Sequence, residues 1–368
     1  MEVVIVGAGI IGCAVAYELA RRGASVRVID ARPVGGGATQ ASAGVLAPYI
    51  ESREGTPLLD LGVRSLSLYD DFVASASEES GTAIEYCRSG TLDVAFDEKD
   101  LRALNQTAAF LERRHVPAEL LDAAAARSEE PHIGPGALGA LLVEAHGFVV
   151  ASEFTRALAT AAVRKGARLL ELSPVRRIAT REKEAIVHTS TSALTCDAVV
   201  LAAGSWTGEI GIAGVSAAPP VRPVRGQLLA LSWTGTPLRR VTWSSRCYLV
   251  PWRDGTALVG ATVEEVGFDE RATVAGVRGL LEAASEVTPH AMSAGFSGAR
   301  VGFRPATADG LPIVGQSSVV PNLVYATGHY RNGVLLAPLT AHLVGDVLLE
   351  NRVDPMLVPL APARFGAL

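Results

Sequence analysis

The stretch VVIVGAGIIGCAVAYELARRGASVRVID, residues 3–30, decides the fold. Val3, Val4, Ile5 and Val6 form an unbroken apolar run, the pattern of a strand buried on both faces. Gly7, Gly9 and Gly12 follow as GxGxxG. Ala14, Val15, Tyr17, Leu19 and Ala20 then fit one side of a helix ending near Gly23. Residues 26–29 give a second strand that stops on Asp30. Each glycine has its own task. Gly7 makes the tight turn, Gly9 lets backbone approach a pyrophosphate, and Gly12 lets the helix pack on the strand. The helix start offers N–H groups and partial positive charge to phosphates. Asp30 stands where ribose hydroxyls would lie. The spacing predicts a dinucleotide-binding βαβ unit and does not by itself separate NAD from FAD.

Residues outward from this unit narrow the choice. ARPVGGGATQASAGVLAP (31–48) is a long small-residue loop where a plain NAD domain would continue into its next helix. Thr39, Gln40, Ser42, Ala43 and Gly44 leave little bulk, so the loop can lie flat against a large ring. Two more strand–turn units follow. In CDAVVLAAGSWTGEI (196–210) a buried strand runs into Ala202, Ala203, Gly204 and Trp206. In NLVYATGHYRNGVLLAPLTAHLVGDVLLE (322–350) a strand at 323–326 and a turn at 328–333 lead into a helix at 334–349. SEFTRALATAAVRKGARLLE (152–171) reads as a helix capped by Ser152, then a strand that Val175 closes, where it would lie over an adenine.

Between these units the pattern changes. Residues 81–145 carry proline, charge and an Ala-rich helix at 121–127, and residues 216–299 alternate in strand fashion. The expected class is α/β: a Rossmann-like nucleotide domain of residues 1–80, 146–215 and 300–368, plus an antiparallel-sheet substrate domain of residues 81–145 and 216–299. A chain of 368 residues also exceeds one compact core.

Composition excludes other classes. Net charge is −5, with no Lys/Arg run, so nothing points to nucleic acid. No apolar segment reaches the length of a membrane span. The chain enters a strand at Glu2 without a signal-peptide pattern, which gives the expectation of a cytoplasmic protein. Cys13, Cys87, Cys196 and Cys247 are scattered without metal-ligand or disulfide spacing, so no metal is expected.

One residue resists a purely structural reading. In VGFRPATADGLPIVG (301–315), Arg304 interrupts an apolar run, and the first acid after it is Asp309. A guanidinium keeps its proton, so a partly buried one implies an anion. Asp309 reads as ordering the turn at Gly310, His329 and His115 as structural, and the Glu264–Glu265 pair as a solvated strand end.

The whole chain resembles the FAD-dependent amine oxidases of the D-amino-acid oxidase superfamily, whose fold is glutathione-reductase-2-like. Within them it is most similar to the bacterial glycine oxidases linked to thiamine biosynthesis. The resemblance rests on VVIVGAGIIG, GGGATQASAGVLAP, AAGSWTGEI, PVRGQLL, RCYLVPW, VGFRPATADGLPIVG and ATGHYRNGVLLAP in this order. It implies FAD. The ADP half would be held by Ala8, Gly9, Ile10, Ile11, Gly12, Asp30, Ala31 and Arg32, with Val175 on adenine. The ring and pyrophosphate would be lined by Thr39, Gln40, Ala41, Ser42, Ala43, Gly44, Val45 and Leu46. Ala202, Ala203, Gly204 and Trp206 would close the site. His329, Arg331, Asn332, Gly333, Val334 and Leu335 would cap the pyrimidine edge. Tyr248 and Arg304 match the family's carboxylate-binding pair, and the Arg331 carbonyl would accept the substrate amine. Arg246 and Leu46 would shape the pocket. No cysteine stands where sarcosine oxidases attach flavin, so attachment is expected to be non-covalent.

The implied reaction moves hydride from Cα to flavin N5, after which dioxygen is reduced to peroxide and the imine hydrolyses. Hydride chemistry belongs to the cofactor, so no acid or base residue is required if the amine enters neutral. Two other readings stay open: a flavin dehydrogenase of sarcosine- or proline-type passing electrons to a partner, and a FAD-binding module of a larger RNA-modifying assembly. Glycine, sarcosine and small D-amino acids are not separated, and a homo-oligomer is compatible with the sequence.

Overall fold

A computed structural model describes residues 1–51, 56–181, 184–215 and 218–368. The GxGxxG segment folds as read: strand β1 (Glu2–Val6), helix α1 (Ile10–Arg21) and strand β2 (Ser25–Ile29). β1 and β2 pair in parallel inside a six-stranded sheet. Its order is Ile313–Gln316, Leu323–Thr327, Ala198–Leu201, β1, β2, Arg168–Leu170. Only the pair at the Ile313–Gln316 edge is antiparallel.

β1 is apolar from Val3 to Val6 because both its faces are covered there. Val3 and Ile5 pack among helices, while Val4 and Val6 pack against Ile178, Ala185 and Val187 of a separate four-stranded sheet. β1 lies between Ala198–Leu201 on one side and β2 on the other. The chain thus leaves β1 in two directions, and open α/β sheets bind ligands at such a switch point.

The helix Gly333–Leu349 carries Pro338 in its interior. Proline has no N–H, so the Val334 carbonyl loses its helical donor. Tyr69 Oη donates to that carbonyl at 2.5 Å. Ser65 Oγ donates to the Leu335 carbonyl at 2.6 Å and accepts from the Leu339 amide at 3.3 Å. At the other end, Arg22 binds Glu18 of α1 and Asp346 of the long helix, at 2.5 and 2.7 Å. The two helices whose N-termini reach the cleft described below are therefore tied together at their far ends.

The second large sheet has eight strands, running from Gly295–Ala306 and Arg222–Ser232 across to Glu119–Asp122. It is antiparallel except where Val241–Trp243 runs parallel to Thr91–Ala95. Residues 300–306, expected in the nucleotide domain, lie in this sheet, in the strand Gly295–Ala306. Three local expectations also change. Helix Ala151–Arg164 starts one residue before Ser152, with Val150 at the cap, because the strand Gly147–Val149 feeds straight into it. Val175 opens the strand Val175–Arg181 and closes none. Leu121 is in a strand, and the Ala-rich helix begins at Ala123, where Asp122 accepts from the amides of Ala124 and Ala125. Among the described residues no helix is long and apolar enough to cross a membrane.

Candidate active site

A cleft of about 310 Å³ opens at the C-terminal ends of the parallel strands and extends to the eight-stranded sheet. Three turns build its first wall. Gly7 follows β1 at φ +113°, where a side chain would collide with the Ala202 carbonyl, so the first two turns touch backbone to backbone. A β-carbon at Gly12 would likewise strike the Gly7 carbonyl. The third turn is held to the eight-stranded sheet by the Tyr330 amide, which donates to the Pro305 carbonyl at 2.9 Å.

The sequence-predicted residues divide into three groups. Gly7, Gly9, Ile10, Ile11, Asp30, Ala31, Arg32, Thr39, residues 41–45, Val175, residues 202–204, Trp206, Tyr248, Arg304, His329, Arg331, Gly333 and Val334 line the cleft. Ala8, Gly12, Gln40, Leu46, Asn332 and Leu335 are outside the lining; of these Gln40 is exposed and the others are covered. Leu46 is fully buried in the helix-facing core, so it shapes the wall from behind. Arg246 is also outside the lining, because its exposed guanidinium turns to Glu286 on the helix Val274–Val287.

Sequence reasoning missed Phe303, Pro305, Tyr330, Pro174 and Arg176, which flank predicted residues and also line the cleft. It misread Glu264 as well. That carboxylate is not a solvated strand end: it accepts from Arg225 at 2.5 Å, Thr262 at 2.6 Å and Gln227 at 2.7 Å. Asp309 does order its turn, accepting from the Leu311 amide at 3.1 Å, and it also pairs with Arg364.

Asp30 braces the nucleotide end. Its two oxygens accept from the amides of Ala8 at 2.5 Å and Arg32 at 2.8 Å. Burial pushes its carboxyl above the usual range, and those amides pull against the rise. Thr39 Oγ1 accepts from the Ile10 amide at 3.1 Å, which fixes the small-residue loop to the start of α1. Neither N-cap residue, Gly9 of α1 nor Asn332 of Gly333–Leu349, caps its helix with its own side chain. Both ends line the cleft, so both present dipole and amides to whatever lies there. Gly9 lines the cleft at φ −72°, and the protein atom nearest to a β-carbon there would be Thr39 Oγ1, at 3.5 Å. A pyrophosphate over this turn and a ring over residues 41–45 fit the donor set and the lack of side-chain bulk. None of the four cysteines lines the cleft.

At the other end, Tyr248 and Arg304 line the cleft from two strands of the eight-stranded sheet that have two others between them. Each packs over a glycine. A β-carbon on Gly226 would overlap the Arg304 guanidinium, and one on Gly260 would overlap the Tyr248 phenol. Arg304 Nη1 donates to the Thr262 carbonyl at 2.9 Å. Tyr248 is further set by Trp243, ring centroids 4.9 Å apart. Gly226→Ala is therefore expected to displace the guanidinium while leaving the cofactor wall intact. A misplacement of this size costs roughly 10²-fold in kcat/KM. Steady-state kinetics beside a measured flavin content checks it.

His329 is buried behind the third turn and its Nε2 meets Thr340 Oγ1 at 3.1 Å. Burial pushes its imidazole down to about 3. It is neutral when folded, whereas unfolded histidine titrates near ~6.5. Its stabilising contribution is thus complete above the unfolded value and is lost as pH falls from there through about 3. A His329→Gln variant should gain urea midpoint relative to the parent as pH drops from neutral toward 4, which paired urea titrations read out.

Comparisons with known proteins identify the family. Residues 2–347 match the FAD dependent oxidoreductase (DAO) family. A glycine oxidase of Geobacillus kaustophilus is 33% identical over 366 residues, covering 99% of this chain and 97% of that protein. The crystal structure of glycine oxidase from that organism superposes with a TM-score of 0.94, at 32% identity and 98% coverage of both chains. A bifunctional protein ThiO/ThiG of a Nostoc species is 35% identical over 361 residues, 97% of this chain. The chain spans about half of that relative's length, 54%. The iminodiacetate oxidase of Chelativorans sp. BNC1 superposes with a TM-score of 0.90 at 27% identity, covering 98% of both chains.

Proposed function

We propose that this chain, which belongs to the FAD dependent oxidoreductase family, oxidises glycine or another small amino acid, with Arg304 and Tyr248 holding the substrate carboxylate. The observation that carries the reading is the placement of these two side chains in the same cleft as the GxGxxG turn. The protein is an FAD-dependent oxidoreductase of the glycine oxidase type. FAD, which the turns at Gly7–Gly9, 202–204 and 329–334 would hold, would supply the hydride acceptor and the route for two electrons to dioxygen, giving peroxide.

The chain's residues do the positioning. Arg304 offers a carboxylate charge-assisted, directional hydrogen bonds, and the Tyr248 hydroxyl adds another. The substrate amine is then directed to the Arg331 carbonyl in the third turn. Two constraints on one small molecule leave Cα a single approach to the ring, which converts binding into orientation. The N-terminus of Gly333–Leu349 lines the cleft and would favour negative charge on a ring held there. No side chain is asked to move a proton if the amine enters neutral. The imine product leaves to hydrolyse in water.

The substrate stays a small amino acid in this reading because Arg304 and Tyr248 answer one carboxylate and the adjacent wall is loop residues 41–45. A place in thiamine biosynthesis, which the resemblance implies, is supported by the match to a bifunctional protein ThiO/ThiG. Hydrogen peroxide is expected when the flavin-loaded protein meets glycine, sarcosine or D-alanine in air. Flavin reduction by these amines without peroxide would replace the oxidase with a dehydrogenase, and no reduction by any of them would end the reading.

A further inference from the structure

The segment 261–273, between the strand Thr256–Gly260 and the helix Val274–Val287, touches both ends of the cleft without lining it. At its start the Thr262 carbonyl accepts from Arg304 Nη1 at 2.9 Å. Further along, Phe268 stacks on Trp206 with centroids 5.6 Å apart and meets Phe303 edge-on at 5.4 Å. Glu270 pairs with Arg32 at 2.6 Å, and Arg32 in turn lies 4.4 Å over the Trp206 ring. Trp206, Arg32 and Phe303 are cleft residues.

What shapes the segment is Arg225. Its side chain is 4% exposed and holds Glu264 at 2.5 Å and Asp269 at 3.0 Å. It also donates to the carbonyls of Asp269 and Arg271 at 3.1 and 3.2 Å. Gln227 closes the far end, donating to Thr273 Oγ1 at 3.0 Å and accepting from the Thr273 amide at 2.8 Å. A charged group this deeply covered is retained only where its partners hold it from several sides. The outer side of the segment is open to water: Val263, Val266 and Phe268 are all exposed. Its posture is thus set by the polar contacts of Arg225 and Gln227 and by the Phe268 ring on Trp206 and Phe303.

We propose that residues 261–273 form a clasp that couples flavin retention to the posture of Arg304, with Arg225 as its positioning residue. The coupling rests on the reading of Arg304 as the carboxylate anchor; the retention does not. Closing on Trp206 and Arg32 slows escape of the nucleotide and fixes the Thr262 carbonyl that orients Arg304. By linkage, an occupied Arg304 must then hold the clasp closed.

The test dilutes the holoenzyme and follows the rise of free-flavin fluorescence, with and without saturating acetate as a carboxylate that has no amine to oxidise. In the parent, acetate is expected to slow release. The double variant Phe268→Ala, Glu270→Gln truncates two exposed side chains, and it is expected to release FAD about tenfold faster with the acetate effect reduced toward none. Phe268→Tyr, which keeps the stack, restores both. Release within twofold of the parent overturns the clasp. Faster release with an undiminished acetate effect, or a parent on which acetate has no effect, overturns the coupling. Arg304→Ala separates the premise: acetate slowing release as strongly there as in the parent ends the anchor reading, while the acetate-free rates still judge retention.

Discussion

Arg304→Ala is expected to keep its yellow colour and lose its substrate. The guanidinium lines the far end of the cleft, and the flavin wall is built from other turns. Truncating one partner of a desolvated, hydrogen-bonded charge pair costs about 2–5 kcal/mol, so kcat/KM for glycine should fall by about 30-fold to several thousand-fold. Flavin content should stay near stoichiometric. Arg304→Lys should recover little, because a lysine cannot reproduce the planar fork. An unchanged KM for glycine would remove Arg304 from the site.

Gly9→Val is expected to fold and to be colourless. Gly7 and Gly12 are glycines because protein backbone would collide with anything larger. Gly9 differs: its φ of −72° suits any residue and its β-carbon would have ordinary contacts. The protein therefore leaves room for a side chain that a pyrophosphate would not tolerate. Circular dichroism and thermal unfolding should show a folded chain, while bound flavin falls below detection. A yellow Gly9→Val protein would place the phosphates elsewhere.

The glycine turns were legible in sequence because each is local. Strand, glycine and helix follow within a dozen residues, and apolar runs report burial on both faces. Arg304's need for an anion was legible in its apolar run, but its pairing with Tyr248 was legible only through resemblance, since the two come from separate strands of one sheet. Glu264 shows what spacing cannot report. Its partner Arg225 is 39 residues away, and antiparallel pairing plus a folded-over segment brings them together. Seen alone, two consecutive glutamates look like a solvated end. Arg246 shows the converse: its neighbours in sequence reach the site, but Glu286 on a packed helix turns its side chain outward. Ser152 carried a good cap pattern, yet the strand entering at Gly147–Val149 set the cap earlier, at Val150.

The central claim is that the cleft grips an amino acid by its carboxylate and oxidises it at the adjacent carbon. Anaerobic mixing of the flavin-loaded protein with glycine and with methylamine tests this most directly, because the two amines differ by that carboxylate. Glycine should bleach the flavin's visible band with a rate that saturates, and methylamine should leave it yellow over the same time. Bleaching by methylamine at a comparable rate, or none by glycine, sarcosine or D-alanine, would contradict the account.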